Sequence, residues 1–385
     1  MRRTLILGGG FGGVATAHEL RRLRPDDEII VVDRASHFMV GFRKTWTLLG
    51  NEPPDAGRGR LADLEKFGIG FRQGTVTTIR AAERAADVDG ERIEADALVV
   101  ALGARLAGEE TPGFEEHVKN LYDPLGLADV RRAIHGFEGG RVSVGVYGLP
   151  YKCPPAPYEI AIMAGEFFRA RGVQATVEVF TPLPMSLPIV GEAGCGVIDA
   201  RLAEHGIGFF PGHKVTAVEA GTVYFGEKRL HYDLLLGVPA HRCPRVVRDS
   251  GLTMEGDWVH VDSRTLETDF PGVYAIGDVT AIAMANGKPL PMAGVFAEGE
   301  GRVVAQRIAA AFDGRQADAH FDGKGGCFLE VGEGLAMVVE GEFLAHPEPR
   351  VELGAASVEN LAKKERFERE RLQAWFGAPS RSGGR

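Results

Sequence analysis

Apolar positions along the chain recur in two rhythms, and the alternation between them outlines a fold. Short unbroken runs read as buried strands: Thr4-Leu5-Ile6-Leu7, EIIVVD at 28–33, ADALVVALGA at 95–104, RVSVGVY at 141–147, ATVEVFT at 175–181 and GVYAIGDVT at 272–280. Between them the spacing changes to that of a helix. Ile160, Met163, Ala164, Phe167 and Phe168 fall at i, i+3, i+4, i+7 and i+8, which predicts one apolar face laid on a sheet. FGGVATAHELRRL and the stretch after Pro291 read the same way. Strand–helix–strand order predicts an α/β fold with two Rossmann-like domains, the second inserted into the first, and a C-terminal α+β segment. The expected division is 1–107 and 248–320 for the first domain, 108–247 for the insertion and 321–385 for the last piece.

SVENLAKKERFERERLQAWFG, 357–377, predicts one more helix, mixed in charge and tipped by Trp375-Phe376. Residues 356–385 carry seven Lys/Arg against four Glu. Two readings stand at this stage: a helix lying on anionic lipid, near a lipid-soluble substrate, or one that covers the substrate domain or meets a second copy of the chain. The final PSRSGGR is expected to be disordered.

Composition narrows the class. Of 385 residues 44% are hydrophobic and 25% charged, the balance of a soluble globular protein. A net charge of −9 argues against nucleic acid as a partner. No run of eighteen apolar residues exists, and Arg2-Arg3 leads straight into the first strand without a signal-like apolar region. The expected location is cytoplasmic or peripheral on the cytoplasmic membrane. Cys153, Cys195, Cys243 and Cys327 are scattered with no metal-ligand spacing, so no metal is expected. Cys195 and Cys243 read as small core residues.

RTLILGGGFGGVATAHELRRL is strand, tight turn, helix. Gly8, Gly10 and Gly13 fit GxGxxG: room for the turn, for a pyrophosphate and for close helix–strand packing. The helix start offers amide hydrogens and a positive dipole end to phosphates. Asp33, twenty residues on, suits ribose hydroxyls. Ala101 and Gly103 end another buried strand where backbone must approach a ligand. Gly277-Asp278 in AIGD resembles the second fingerprint of two-dinucleotide-domain flavoproteins, which implies FAD, with Asp278 on the ribitol chain. The same resemblance implies that the amides around Met292, Ala293 and Gly294 face the pyrimidine edge of the isoalloxazine.

The inserted domain opens as a second nucleotide site would, then departs. After RVSVGVY comes GLPYKCPPAPYE, 148–159, where Pro154, Pro155 and Pro157 remove amides that a pyrophosphate would use. ATVEVFTP ends without an acid or arginine for a ribose. The architecture is that of an NAD-binding domain that has lost its cofactor.

YKCPPAPYE, together with GKGGCFLEVG at 323–332, GGGFGG, VVALGA, VPAHRCPRVV and AIGD in order, resembles the sulfide:quinone oxidoreductases and the flavoprotein subunit of flavocytochrome c sulfide dehydrogenase. The resemblance covers nearly the whole chain. It implies a pair of cysteines, Cys153 and Cys327, beside the flavin as a disulfide or polysulfide bridge, with Glu159 as a proton carrier. It implies sulfide and a quinone as substrates. Taken alone, Glu159 in a first helical turn also suits the helix dipole. Three departures stand out: no cysteine in 104–152, no secure match for proton-transferring histidines (His117 and His135 by region only), and Met292 where relatives often carry a lysine. The rivals are a cytochrome c acceptor, an NADH:quinone dehydrogenase and a flavin-containing scaffold or sulfur carrier. Self-association is left open.

Overall fold

The computed structural model describes residues 1–50, 53, 56–253 and 257–377. The tail PSRSGGR therefore lies outside the described residues.

The expected α/β architecture is present as two parallel five-stranded sheets. In the first, Arg3–Leu7 is central. Glu28–Asp33 and Gly70–Gln73 lie to one side, Ala97–Val100 and Val273–Ala275 to the other. Leu5, Leu7, Val32, Leu98, Val100 and Val273 are fully buried, which explains the unbroken apolar runs: helices cover one face and the antiparallel strands Val76–Arg80, Ala85–Val88 and Glu91–Glu94 cover the other. The helices Phe11–Leu23 and Gly294–Phe312 pack against each other, so a strand and a helix more than 250 positions downstream complete the first domain.

The second sheet runs Lys119–Asn120, Leu234–Val238, Gly140–Val146, Ala175–Phe180 and Gly208–Phe210, all parallel. Its helix, Ala156–Ala170, is buried more widely than a single stripe. Tyr158, Ile160, Ala161, Ile162, Ala164 and Phe168 are buried, whereas Met163 and Phe167 of the expected face are only partly so. The physical reason is a second neighbour. The C-terminal sheet, Lys324–Glu330 with Ala336–Glu342 and Arg350–Leu353, packs on the helix from the far side and adds Leu329, Val331, Met337 and Val339 to the same core.

The last helix, Val358–Phe376, starts where Ser357 Oγ accepts the Asn360 amide at 3.1 Å. Its aromatic tip is turned inward. Trp375 and Phe376 are buried against Phe11 and Phe38, and the Trp375 carbonyl meets His18 Nε2 at 3.0 Å. The rings serve the first domain's core. No described helix is long and apolar enough to cross a membrane.

Candidate active site

The two cysteines arrive from different elements. Cys153 sits three residues before the Ala156–Ala170 helix, in the loop leaving the central strand of the second sheet. Its φ of +53° is in the left-handed region, uncommon for a side-chain-bearing residue and concentrated at functional sites. Several bonds hold it there. Its amide donates to the Met292 carbonyl at 2.9 Å and its carbonyl accepts from the Ala156 amide at 3.0 Å. Tyr122 Oη donates to the carbonyls of Lys152 and Cys153, at 2.9 and 3.3 Å. Cys327 lies on the strand Lys324–Glu330, paired with Val339. The sulfurs stand 3.8 Å apart across 174 positions of sequence. That gap is a hydrogen bond between free thiol groups, longer than an S–S bond of about 2.05 Å. The two sulfurs are unequal. The hydrogen bond from Cys327 holds the Cys153 thiol below its ordinary range against burial, with Lys364 and Lys44 assisting, and Cys327 is pushed up in return. Cys195 and Cys243 are buried elsewhere, the latter raised to about 12 by burial.

Glu159 is 2% exposed and accepts on Oε2 from Lys364 Nζ at 2.7 Å and from the Glu330 amide at 2.9 Å. Glu330 follows Cys327 by three residues, and Lys364 comes from the last helix. One carboxylate therefore ties the Cys153 helix, the Cys327 strand and the C-terminal helix together. Glu330 receives Trp46 Nε1 at 3.0 and 3.1 Å, and Lys364, fully buried, lies over the rings of Phe42 and Trp46. Burial works against the Lys364 ammonium, and Glu159 and Glu330 more than reverse it, raising its pKa. Glu159 is thus an anchored acceptor, a fuller role than a helix-dipole partner.

The residues expected to bind nucleotide gather at the carboxyl ends of the first sheet. Gly8, φ +115°, lies so close to Ala101 that a Cβ would meet that carbonyl oxygen at 2.1 Å; a Cβ on Gly13 would meet the Gly8 oxygen at 1.9 Å. Beside Gly10, by contrast, nothing lies within 4 Å. Asp33 is already held, by the Gly9 amide at 2.6 Å and the Ala35 amide at 2.8 Å. Gly103 and Gly277 have positive φ, and the Gly277 amide donates to Glu300 at 2.5 Å. Ala293 caps the helix beginning at Gly294 with no side-chain bond, leaving its first amides open. Since Met292 also holds Cys153, the start of the Gly294–Phe312 helix and the sulfur pair are joined by one hydrogen bond. Gly13→Ala should overpack this turn, destabilise the protein by about 1–3 kcal/mol and empty it of flavin, as read by absorbance of the purified protein.

Sequence patterns find only part of this. His117 and His135 do not join the sulfurs; His135 binds the Leu48 carbonyl and stacks on Phe167. The imidazole that packs on Tyr122, whose hydroxyl holds the Cys153 carbonyl, is His241. Lys44, Lys152, Lys364, Glu330 and Glu300 were also missed. Asp278 is raised by burial, which Lys152 and Lys44 oppose. No described group of His, Cys, Asp and Glu could hold a metal ion.

Glu300, 1% exposed, is pushed up to about 7 by burial, the Gly277 amide opposing and the Asp278 charge adding. Its folded state binds a proton more tightly than its unfolded state, so the carboxyl weakens folding as pH rises from below 4.5 through about 7. Glu300→Gln should therefore be the more stable protein near about pH 8, by about 3 kcal/mol in urea unfolding, with the advantage gone near about pH 4.

The sequence pattern of the pyridine nucleotide-disulphide oxidoreductases matches residues 2–134 and 159–304, well over half of the chain. The chain belongs to that family. What the family's pattern skips, 135–158, includes the proline-filled loop with Cys153. Among curated relatives, the mouse mitochondrial sulfide:quinone oxidoreductase is 22% identical over 362 residues, 89% of this chain and 78% of its own. A sulfide-quinone reductase of Aquifex aeolicus is 25% identical over 311 residues, 75% of this chain and 71% of its own. The crystal structure of the Aquifex aeolicus sulfide:quinone oxidoreductase superposes with a TM-score of 0.86 at 22% identity, covering 99% of this chain and 93% of that one. Membership in this oxidoreductase family implies a flavin cofactor. The residues present fit one: the open side of Gly10, the uncapped amides at Ala293-Gly294 and the close-packed Gly8–Gly13 turn form a cradle that side chains would fill.

Proposed function

We propose that this protein oxidises sulfide to zero-valent sulfur at Cys153 and Cys327 and passes the electrons, through FAD, to a quinone. The observation that carries the reading is the sulfur pair, 3.8 Å apart and hydrogen-bonded through Cys153 to the segment expected along the flavin. Gly8, Gly10, Gly13 and Asp33 would hold the adenosine diphosphate half of FAD, and Asp278 its ribitol chain. Bound there, the flavin supplies a two-electron acceptor that a quinone can reoxidise.

Charge around the pair sets the direction of attack. In the oxidised pair, hydrosulfide attacks a sulfur, one S–S bond forms, another breaks and a thiolate leaves. The Lys44 charge bears on Cys153, and the better-stabilised thiolate leaves faster, so attack falls on Cys327 and expels Cys153. Cys327 then carries the added sulfur as a persulfide, and the Cys153 thiolate holds the electron pair to be passed on. Ammonium groups at Lys364 and Lys44 stabilise that charge. Glu159 and Lys364 keep the two chain segments in place while bonds exchange. Pro154, Pro155 and Pro157 leave the second domain's loop without the amides a nicotinamide dinucleotide needs.

The test is anaerobic turnover with a short-chain quinone. Sulfide should drive quinone reduction and NADH should not; quinone reduction by NADH with none by sulfide would overturn the reading.

A further inference from the structure

The mechanism above leaves open how sulfide reaches the pair as an anion. In neutral water about half of it is H₂S, because its first ionisation lies near neutrality, yet only the anion attacks a disulfide well. A cluster beside Cys153 answers this. Lys44, on the short helix Arg43–Leu49, places Nζ 5.2 Å from the centre of the Tyr122 ring. The hydroxyl of the same tyrosine grips the Lys152 and Cys153 carbonyls. One ring thus fixes Lys44 to the cysteine loop, and Lys152 is Cys153's neighbour in sequence. Among the described residues neither ammonium makes a hydrogen bond or an ion pair. His241 packs edge-on against Tyr122, ring centres 5.5 Å apart. Its Nδ1 bonds the Pro239 carbonyl at 3.0 Å, which makes Nδ1 the donor, and its Nε2 is buried without a partner. Lys44 and His241 thus lie against the ring that holds the Cys153 backbone, and the charge of Lys152 bears on both.

We infer that Lys44 and Lys152 form the receiving site for sulfide, where Lys44 takes the proton of H₂S and both cations hold HS⁻ against the cysteine pair. The inference rests on the sulfide reading above. The exchange balances: H₂S and the Lys44 amine give HS⁻ and the Lys44 ammonium. HS⁻ then bonds to Cys327 and the S–S bond to Cys153 breaks. The Lys44 proton leaves to solvent before the next turnover. Lys44 suits both tasks. Burial, then the like charge of Lys152, draw its pKa to about 7 against Cys153, Asp278 and Asp123, close to the ideal for a base working at neutral pH. The other titratable neighbours do not compete there: burial drops His241 to about 3 and pushes Tyr122 well above its ordinary range.

The test uses the flavin-loaded protein and the variants Lys44→Met, Lys44→Arg and Lys152→Met. In sulfide:quinone assays, Lys44→Met should raise the KM for total sulfide by about tenfold near about pH 7, where free amine and H₂S are both abundant, with a smaller effect near about pH 8, where solution already supplies HS⁻. Lys44→Arg, a cation that cannot act as a base, should match wild type near about pH 8 and fall short of it near about pH 7. Lys152→Met should raise KM at both. A second readout needs no turnover: after reduction, Cys153 in the wild type should prefer anionic iodoacetate over neutral iodoacetamide, and each Met variant should lose about tenfold of that preference. Unchanged KM and unchanged preference in variants of an enzyme that oxidises sulfide would overturn the inference. A wild type that does not oxidise sulfide would sink the function on which the inference rests, whereas the alkylation preference would still report on the anion site.

Discussion

Replacing Cys327 with serine is expected to lower the rate of sulfide-driven flavin reduction by at least about 10³-fold while leaving reduction by dithionite intact. A serine oxygen cannot carry the added sulfur or close a disulfide, so the step has no substitute route. Cys153→Ser should cost as much, because it removes the thiolate that leaves and passes on the electron pair. The two sulfurs act as one unit, so the double variant should be no slower than either single one. Stopped-flow absorbance under anaerobic conditions reads all three. Cys195→Ser and Cys243→Ser, which touch neither sulfur, should reduce as wild type does.

The second large effect belongs to Lys364. Lys364→Met strips the counter-ion from two buried carboxylates, and breaking a buried pair from one side costs about 3–5 kcal/mol. The loss should be steady across the neutral range. Lys364 has a folded pKa above its unfolded value, so its contribution is complete below the unfolded pKa and fades only as strongly alkaline pH passes the folded one. Chemical denaturation from mildly acidic to mildly alkaline pH checks this. Adding Glu159→Gln to Lys364→Met should return part of the loss, since one of the stranded charges is gone. Thiol chemistry provides a reading independent of stability. Lys364 helps hold Cys153 down, so in Lys364→Met the thiolate of Cys153 should appear at higher pH in an alkylation profile.

How much of this was legible in the sequence depends on what each residue's role rests on. The glycine turn and Asp33 were readable because their spacing is set locally, by one strand, one turn and one helix. The joining of Cys153 to Cys327 was expected from resemblance, and no local rule supplies it: 174 positions separate them. Lys364 and Lys44 were hidden for a different reason. In SVENLAKKERFERERL a lysine among glutamates and arginines fits a solvated face, and only the arrival of Glu159 and Glu330 from other elements makes a buried ammonium favourable. Glu300, in AEGEGR, has no local signal of burial either; the partner that marks it is the Gly277 amide, from a turn 23 positions upstream. The Trp375-Phe376 tip shows the converse case, in which an apolar end whose partner the sequence left open is taken by the core of the first domain. Charge and aromaticity mark the residues that matter, but their partners decide which way they face.

The most direct measurement is an anaerobic titration of the purified yellow protein with sulfide, following the flavin's visible absorption and the mass of the peptide bearing Cys327. The account predicts bleaching in proportion to the sulfide added, one extra sulfur atom on Cys327, and recovery of the colour when a quinone follows. Colour that persists in excess sulfide but vanishes with NADH, with Cys327 unmodified, would contradict it.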